Sequence, residues 1–402
     1  MDLHSFIETN QLHPSSIDGP ACLNQLLRQM ELGLAGQGNI PMIPSYLPLE
    51  IPPAAGEDCC VLDAGGTNLR YARAVFHADG SCTLQGLHKT AMPGTQGELT
   101  AQEFYRTLAD YAKHTGSAHR VGFCFSYAVE QERNLDGTLL AWCKEVRVPD
   151  APGKPVGASL RQAIGPECES VRVLNDSTAA LLGAHSQDSQ ISLGLILGTG
   201  INICYEERCR NIPKVPVDLK KDAMIISTEI GEFQGFPKTP FDDAVITASD
   251  EPELAHAEKQ CAGAYLGDLI SLAWQSAARE GLIAPAFAVP ASLPQISDCL
   301  AGVEGVFPED PAAKKLAGTM IHRAAKIAAV LTAGPILRSC PEGTHCAMVI
   351  EGSQFHKLTG FAQSFLQELE ELLRPYEIRV SIKTVENSCL IGAALAAFAE
   401  PM

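Results

Sequence analysis

The stretch CCVLDAGGTNLRYARAVF, residues 59–76, decides how the rest of the chain is read. A short apolar run ends in Asp63. Gly65, Gly66, Thr67 and Asn68 follow, and then a second run able to pair back on the first. A hairpin needs only a tight turn, which Asn or Asp with Gly supplies. A site for phosphate and metal needs more: glycines that let backbone amides approach an anion, and a carboxylate oxygen for Mg²⁺. The stretch alone fits either reading, so the decision rests on whether other turns are built the same way.

The chain of 402 residues is too long for one ordinary core, and two domains are expected. With 46% hydrophobic and 19% charged residues it reads as folded and not disordered. Fourteen cysteines are scattered; the close pairs Cys204/Cys209 and Cys340/Cys346 have no matching second pair, which favours buried free thiols over zinc. The start, MDLHSFIETNQLH, is too polar for a secretory leader, and no uninterrupted apolar run reaches the roughly 18 residues of a membrane span. A reducing cytoplasm is the expected setting. The net charge of −17 repels nucleic acid and anionic membranes, so neither is expected as a partner. An anionic substrate would need local cations or a metal ion. Oligomeric state leaves no readable signature.

Working outward from the opening stretch, strands are expected at 59–63, 69–76, 82–87 and 121–126, with a helix near 100–114. Residues 16–33 carry Leu23, Leu26, Leu27, Met30 and Leu32 near a 3.6-residue period, with Gly33 to end the helix. The proline-rich IPMIPSYLPLEIPPAAGED reads as an extended connector. VRVLND is a short strand and STAALLGAHS the helix after it. LGLILGTGINICYEE, 193–207, repeats the opening design of strand, glycine turn and strand, which suggests two related α/β halves. Long helices are expected at 255–279, 311–333 and 356–373, a strand then a turn in CAMVIEGS, 346–353, and a small-residue helix in 386–399.

Four turns far apart in sequence now look alike, namely Asp63 to Asn68, Asn175 to Thr178, Gly198 to Asn202 and Glu351 to Ser353. Each follows an expected strand and carries glycine or a small polar group, and in α/β sheets ligands bind at strand ends. Converging on one cleft, they would form a nucleotide site whose amides meet phosphate at the glycines.

The chain resembles the eukaryotic-type hexokinases of the actin–Hsp70–sugar kinase superfold. The resemblance is carried by MIPSYL (42–47), LDAGGTNLR (62–70), FCFSYAVE (123–130), AWCKEV (141–146), LNDSTAALL (174–182), GLILGTGINICYEE (194–207), STEIGEF (227–233), AEKQCAGAYLGDL (257–269), IEGSQF (350–355) and IGAALAAFA (391–399), in the family's order along nearly the whole chain. It implies an α/β, two-lobed, actin-like ATPase fold with two RNase H-like domains flanking a cleft. The small lobe would comprise 58–176 plus 389–402, and the large lobe 1–57 plus 177–388. The implied reaction transfers the γ-phosphoryl group of Mg·ATP to the 6-hydroxyl of a hexose, with glucose the first choice and mannose, fructose or an amino sugar as alternatives.

Residue by residue, the resemblance makes Asp176 the general base; the competing reading is a helix cap. Ser126, Cys143, Lys144, Asn175, Asn202, Glu229 and Glu258 would contact the sugar, with Lys144 also offsetting charge on the transferred group. A solvated surface acid is the rival role for Glu258, which sits beside Lys259, and a surface position is the rival for Lys144. Asp63, Gly65, Gly66, Thr67, Asn68 and Arg70 match the first phosphate loop, with Asp63 as the Mg²⁺ ligand and Arg70 open to a structural role. Gly198, Thr199 and Gly200 match the second loop, and Gly352 and Ser353 the adenosine loop.

The match departs at several points. The family's Ser-Phe-Pro is Ser126-Tyr127-Ala128 here, and its Asn-Trp-Thr-Lys is Ala141-Trp142-Cys143-Lys144. Ala255 stands where Gln is usual, Ile230 replaces an aromatic, and Glu351 replaces Asp before Gly352. These changes put the identity of the sugar in question. Short loops and abundant alanine suit a bacterial source. A sugar-binding regulator with little turnover is the competing class, against which Asp176 speaks. A kinase of the bacterial ROK group is the third, against which the lack of a cysteine-rich zinc motif speaks.

Overall fold

The computed structural model describes residues 2–66, 68–142, 146–216 and 221–401. Strand β1, Ile43–Pro44, is a two-residue edge. β2 (Asp58–Ala64), β3 (Asn68–Phe76), β4 (Cys82–Ala91) and β5 (Arg120–Phe125) follow, then the small hairpin of β6 (Ala128–Gln131) and β7 (Gly137–Ala141), then β8 (Ser170–Leu174). One sheet is ordered β4-β3-β2-β5-β8. β9 (Ile191–Leu197), β10 (Ile201–Arg208), β11 (Ala223–Ser227), β12 (His345–Glu351) and β13 (Arg379–Lys383) join β1 in a second, ordered β1-β11-β10-β9-β12-β13.

The two sheets share a topology. In the first, β2, β3 and β4 pair antiparallel, and β5 and β8 add in parallel. In the second, β9, β10 and β11 do the same, with β12 and β13 parallel. The repeated strand–turn–strand stretches are thus equivalent hairpins, and the expectation of two related halves holds. β2 is buried along almost its whole length, as a strand covered on both faces must be, while edge strand β4 is largely exposed.

The helices are α1 (Leu3–Thr9), α2 (Gly19–Leu34), α3 (Ala101–His114), α4 (Val156–Ile164), α5 (Asp176–Gln187), α6 (Pro240–Ala248) and α7 (His256–Cys261). They continue with α8 (Gly263–Arg279), α9 (Leu293–Ala301), α10 (Pro311–Ser339), α11 (Ser353–Lys357), α12 (Phe361–Leu373) and α13 (Ser388–Ala397). α5 and α13 form the layer common to both sheets. One buried cluster joins Val61 and Ala72 of the first sheet, Ala180 and Ala393 of these helices, and Ile191 and Val349 of the second. Their backbones touch: a Cβ at Gly183 would overlap the Ser388 carbonyl, and one at Gly392 the Ala179 carbonyl. The small residues of both helices are what permit that approach.

Several expected elements are redrawn. The helix expected at 255–279 is two helices, broken at Ala262, whose ψ of 159° is extended. The break lets the amides of Gly263 and Ala264 donate to Gly198 O and Thr199 O, at 2.8 and 3.0 Å. The helix expected at 356–373 is split by Gly360 at φ +82° into α11 and α12. α10 runs on to Ser339 through the buried Pro335. The connector is not wholly irregular, since Ile43 pairs with Ser227 on β11. α10 also holds an 18-residue window of mean hydropathy 1.2, long and apolar enough to cross a membrane, yet 83% of it is buried inside the protein. Thirteen cysteines of the described residues are free and ten of them buried, as expected.

Candidate functional site

A cavity of about 900 Å³ opens where the C-terminal ends of β2, β5, β8, β9 and β12 meet. Gly65 and Gly66 line it after β2, Ser126 after β5, Asn175 and Asp176 after β8, Gly198, Thr199 and Gly200 after β9, and Gly352 and Ser353 after β12. Asn202 on β10, Glu229 after β11 and Glu258 on α7 complete the set. All four glycine or small-polar turns singled out in the sequence therefore reach one space.

The cap of α5 is Asn175 and not Asp176. Asn175 Oδ1 accepts from Ser177 N and Oγ at 2.8 and 2.7 Å. Asp176 stands one residue in, on the cavity wall, its Oδ1 sharing the Ser177 amide at 2.8 Å. Asn175 Nδ2 is the amide group left to donate. This division of labour separates the two readings of Asp176 that the sequence left open.

Glu229 sits in the left-handed region at φ +52° and ψ +46°, a costly conformation for a non-glycine residue. The surroundings enforce it. Asn202 Oδ1 accepts the Glu229 amide at 3.0 Å, Asn202 Nδ2 donates to Glu229 Oε1 at 2.5 Å, and Ser227 Oγ donates to the same oxygen at 3.0 Å. Asn202 also donates to Ser227 Oγ at 2.9 Å, so its amide hydrogens go to holding the carboxylate. Burial pushes the Glu229 carboxyl up to about 7, the Ser227 and Asn202 hydrogen bonds pull it down, and the nearby Asp176 and Glu258 carboxylates raise it.

Glu258 faces the same space, its Oε2 accepting from Ile201 N at 3.0 Å. Its neighbour Lys259 is not a surface lysine either. It is 3% exposed, with Nζ donating to Leu254 O at 2.8 Å. The surface reading of this pair is therefore set aside.

The first glycine turn is more divided than expected. Gly65 N donates to Asn68 O at 3.0 Å. Asp63, Asn68 and Arg70 do not line the cavity. Asp63 and Arg70 face each other across the hairpin and form an ion pair, with Arg70 Nε and Nη2 both on Asp63 Oδ2 at 2.8 and 2.5 Å. Arg70 Nη1 donates to Asn387 Oδ1 at 3.3 Å, which ties the hairpin to the start of α13. Arg70 is thus placed structurally. Asp63 keeps Oδ1 outside that pair, and no cluster of three His, Cys, Asp or Glu side chains converges as a metal site among the described residues. One protein oxygen suits Mg²⁺, which keeps waters and substrate phosphates as its other ligands. Glu351, the departure before Gly352, accepts from Ser388 Oγ at 2.5 Å and joins β12 to α13.

Thr67, Cys143 and Lys144 lie outside the described residues. No Lys or Arg is among the described lining residues, so counter-charge for a phosphate there has to come from elsewhere. The sequence reading missed Ser227, Glu232, Gln131 and Tyr265, which also line the cavity. Ser227 stood in plain view at the head of STEIGEF. Gln131 sits on β6, before a turn that Asn134 and Asp136-Gly137 mark in the sequence, and is placed by donating to Val173 O at 3.1 Å, a contact far away in the chain.

A duplicated sheet of this topology with a cleft at its strand ends defines the two-lobed actin–Hsp70–sugar kinase class of α/β protein. Comparison with known proteins agrees. Hexokinase family models match residues 6–186 and 192–399. The chain is 27% identical to hexokinase-2 of Candida albicans over 431 residues, covering 94% of this chain and 88% of that one. It is 32% identical to hexokinase-2 of Solanum tuberosum over 263 residues, covering 60% and 53%. A solved hexokinase from Schistosoma mansoni, complexed with glucose, matches in fold with a TM-score of 0.83 at 21% identity and 98% coverage of both chains. The chain belongs to the hexokinase family.

Proposed function

We propose that the cleft binds glucose and Mg·ATP and transfers the γ-phosphoryl group to the sugar's 6-hydroxyl, with Asp176 as general base. As a hexokinase the chain is an ATP-dependent hexose kinase; the sugar, the hydroxyl and the residue roles are the proposal. The observation that carries it is the convergence of Asp176, Glu229 and Glu258 with the turns at Gly65–Gly66 and Gly198–Gly200 on one cavity.

The chemistry follows from that placement. A carboxylate within reach of a sugar hydroxyl takes its proton as the phosphoryl group moves. Glu229, Glu258 and Asn175 supply the fixed acceptors and donors that hold the other hydroxyls. The glycine turns offer amides to the phosphates. Mg²⁺, held through Asp63, would neutralise phosphate charge, and Lys144 is the proposed second cation. Glucose is favoured because the structurally similar Schistosoma protein is complexed with it.

The proposed lobes, 58–176 with 389–402 and 1–57 with 177–388, are supported by the sheets, since the first lies wholly within 58–174. A cytoplasmic setting is supported by the free thiols. Partners other than hexose and nucleotide are not proposed, and the net charge of −17 argues against nucleic acid.

A panel of hexoses with Mg·ATP, with the product of each analysed by phosphorus and carbon NMR, tests the reading. Turnover of glucose to an ester on its 6-oxygen is expected. Turnover confined to another hexose, or an ester at another oxygen, overturns it.

A further inference from the structure

Tyr127 belongs to a departure in the sequence and lines the cavity without an assigned role. Its ring is 3% exposed and wedged among aromatics, with centroids 4.8 Å from Phe125 and 5.0 Å from Trp142. That packing aims the hydroxyl at the first glycine turn. Tyr127 Oη donates to Gly65 O at 2.9 Å and lies 3.3 Å from Gly66 O. The next residue back is fixed as well, with Ser126 N donating to Ala64 O at 3.2 Å. The segment after β5 is thereby stitched to the turn after β2 at three successive carbonyls.

We infer that Tyr127 is a positioning residue for nucleotide binding, which sets the orientation of the Gly65–Gly66 peptides through its hydroxyl. In a planar trans peptide the carbonyl and the following amide point opposite ways. Drawing Gly65 O toward Tyr127 turns the Gly66 amide away from that ring. Two consecutive glycines have little conformational preference of their own, so an external bond decides which face they present. Phenylalanine, the family's residue at this position, would fill the same space and make no such bond. The first turn of this chain therefore has a tie that the family pattern lacks, at the place where the phosphates of ATP are proposed to bind.

The inference rests on the kinase reading, and Tyr127→Phe tests it because the ring packing survives. The measurements are the Kd for Mg·ADP by calorimetry, the KM for ATP and for hexose, and the melting temperature. Nucleotide Kd and ATP KM are expected to rise about threefold to tenfold, the scale of one lost hydrogen bond, with hexose KM unchanged and the melting temperature lowered by no more than about 2 °C. Unchanged nucleotide affinity overturns the inference. So does an equal weakening of both substrates, which marks general loosening of the fold. A wild type that binds nucleotide and phosphorylates no hexose removes the kinase reading alone, and the nucleotide Kd of the variant still decides the role of Tyr127.

Discussion

The left-handed backbone of Glu229 and the crowding of its carboxylate describe a residue held against its own preference. Such strain gathers at functional sites, where the surrounding structure over-determines the geometry. It has a measurable consequence. The folded-state pKa, about 7, lies above the ordinary 4.5, so folding favours the protonated acid. The associated stability is full below about 4.5 and is lost as pH rises through about 7. Denaturant titrations at pH 5 and pH 8 should show the wild type losing stability over that interval, and Glu229→Gln losing less. At pH 8 the variant should be the more stable protein while binding hexose at least about tenfold more weakly, the scale of a lost charged hydrogen bond. Equal pH dependence of the two proteins would show that Glu229 does not titrate as described.

Among elements, what could be read from sequence was what depends on near neighbours. The hairpins at 59–76 and 193–207 were legible because each is an apolar run, a glycine turn and a second run within one short stretch. The ion pair of Asp63 with Arg70 was legible in principle, since a hairpin of that register sets the two side chains opposite each other. The break at Ala262 was not, because the partners that reward it, the carbonyls of Gly198 and Thr199, are distant in sequence and the apolar pattern runs through the break. The burial of Lys259 was hidden for a different reason: its Nζ is held by the nearby backbone carbonyls of Glu251 and Leu254, and no side-chain pattern marks a bond to backbone. The crossing of α5 and α13 gives the sharpest test at this scale. Gly392→Ala puts a methyl group onto the Ala179 carbonyl and should cost about 1–3 kcal/mol or more, visible as a fall in the denaturation midpoint. A variant as stable as the wild type would mean that the two helices do not pack backbone to backbone.

For the whole molecule, two sheets of one topology share a helical layer, and the cavity draws on both. A ligand that bridges them stabilises the fold by mass action. Hexose at about a hundred times its Kd should raise the unfolding free energy by about 2.7 kcal/mol, read as a shift in melting temperature. The absence of a shift would show that hexose does not bind the folded protein in preference to the unfolded chain. The central claim is that Asp176, relieved of capping α5 by Asn175, is the base of a phosphoryl transfer. The most direct measurement is ADP release with hexose and Mg·ATP by the wild type and by Asp176→Asn, with sugar binding followed by calorimetry on both. Turnover by the wild type, and its loss by about a hundredfold or more in a variant that still folds and binds sugar, is the predicted result. A variant that turns over at the wild-type rate would contradict the assignment of the base.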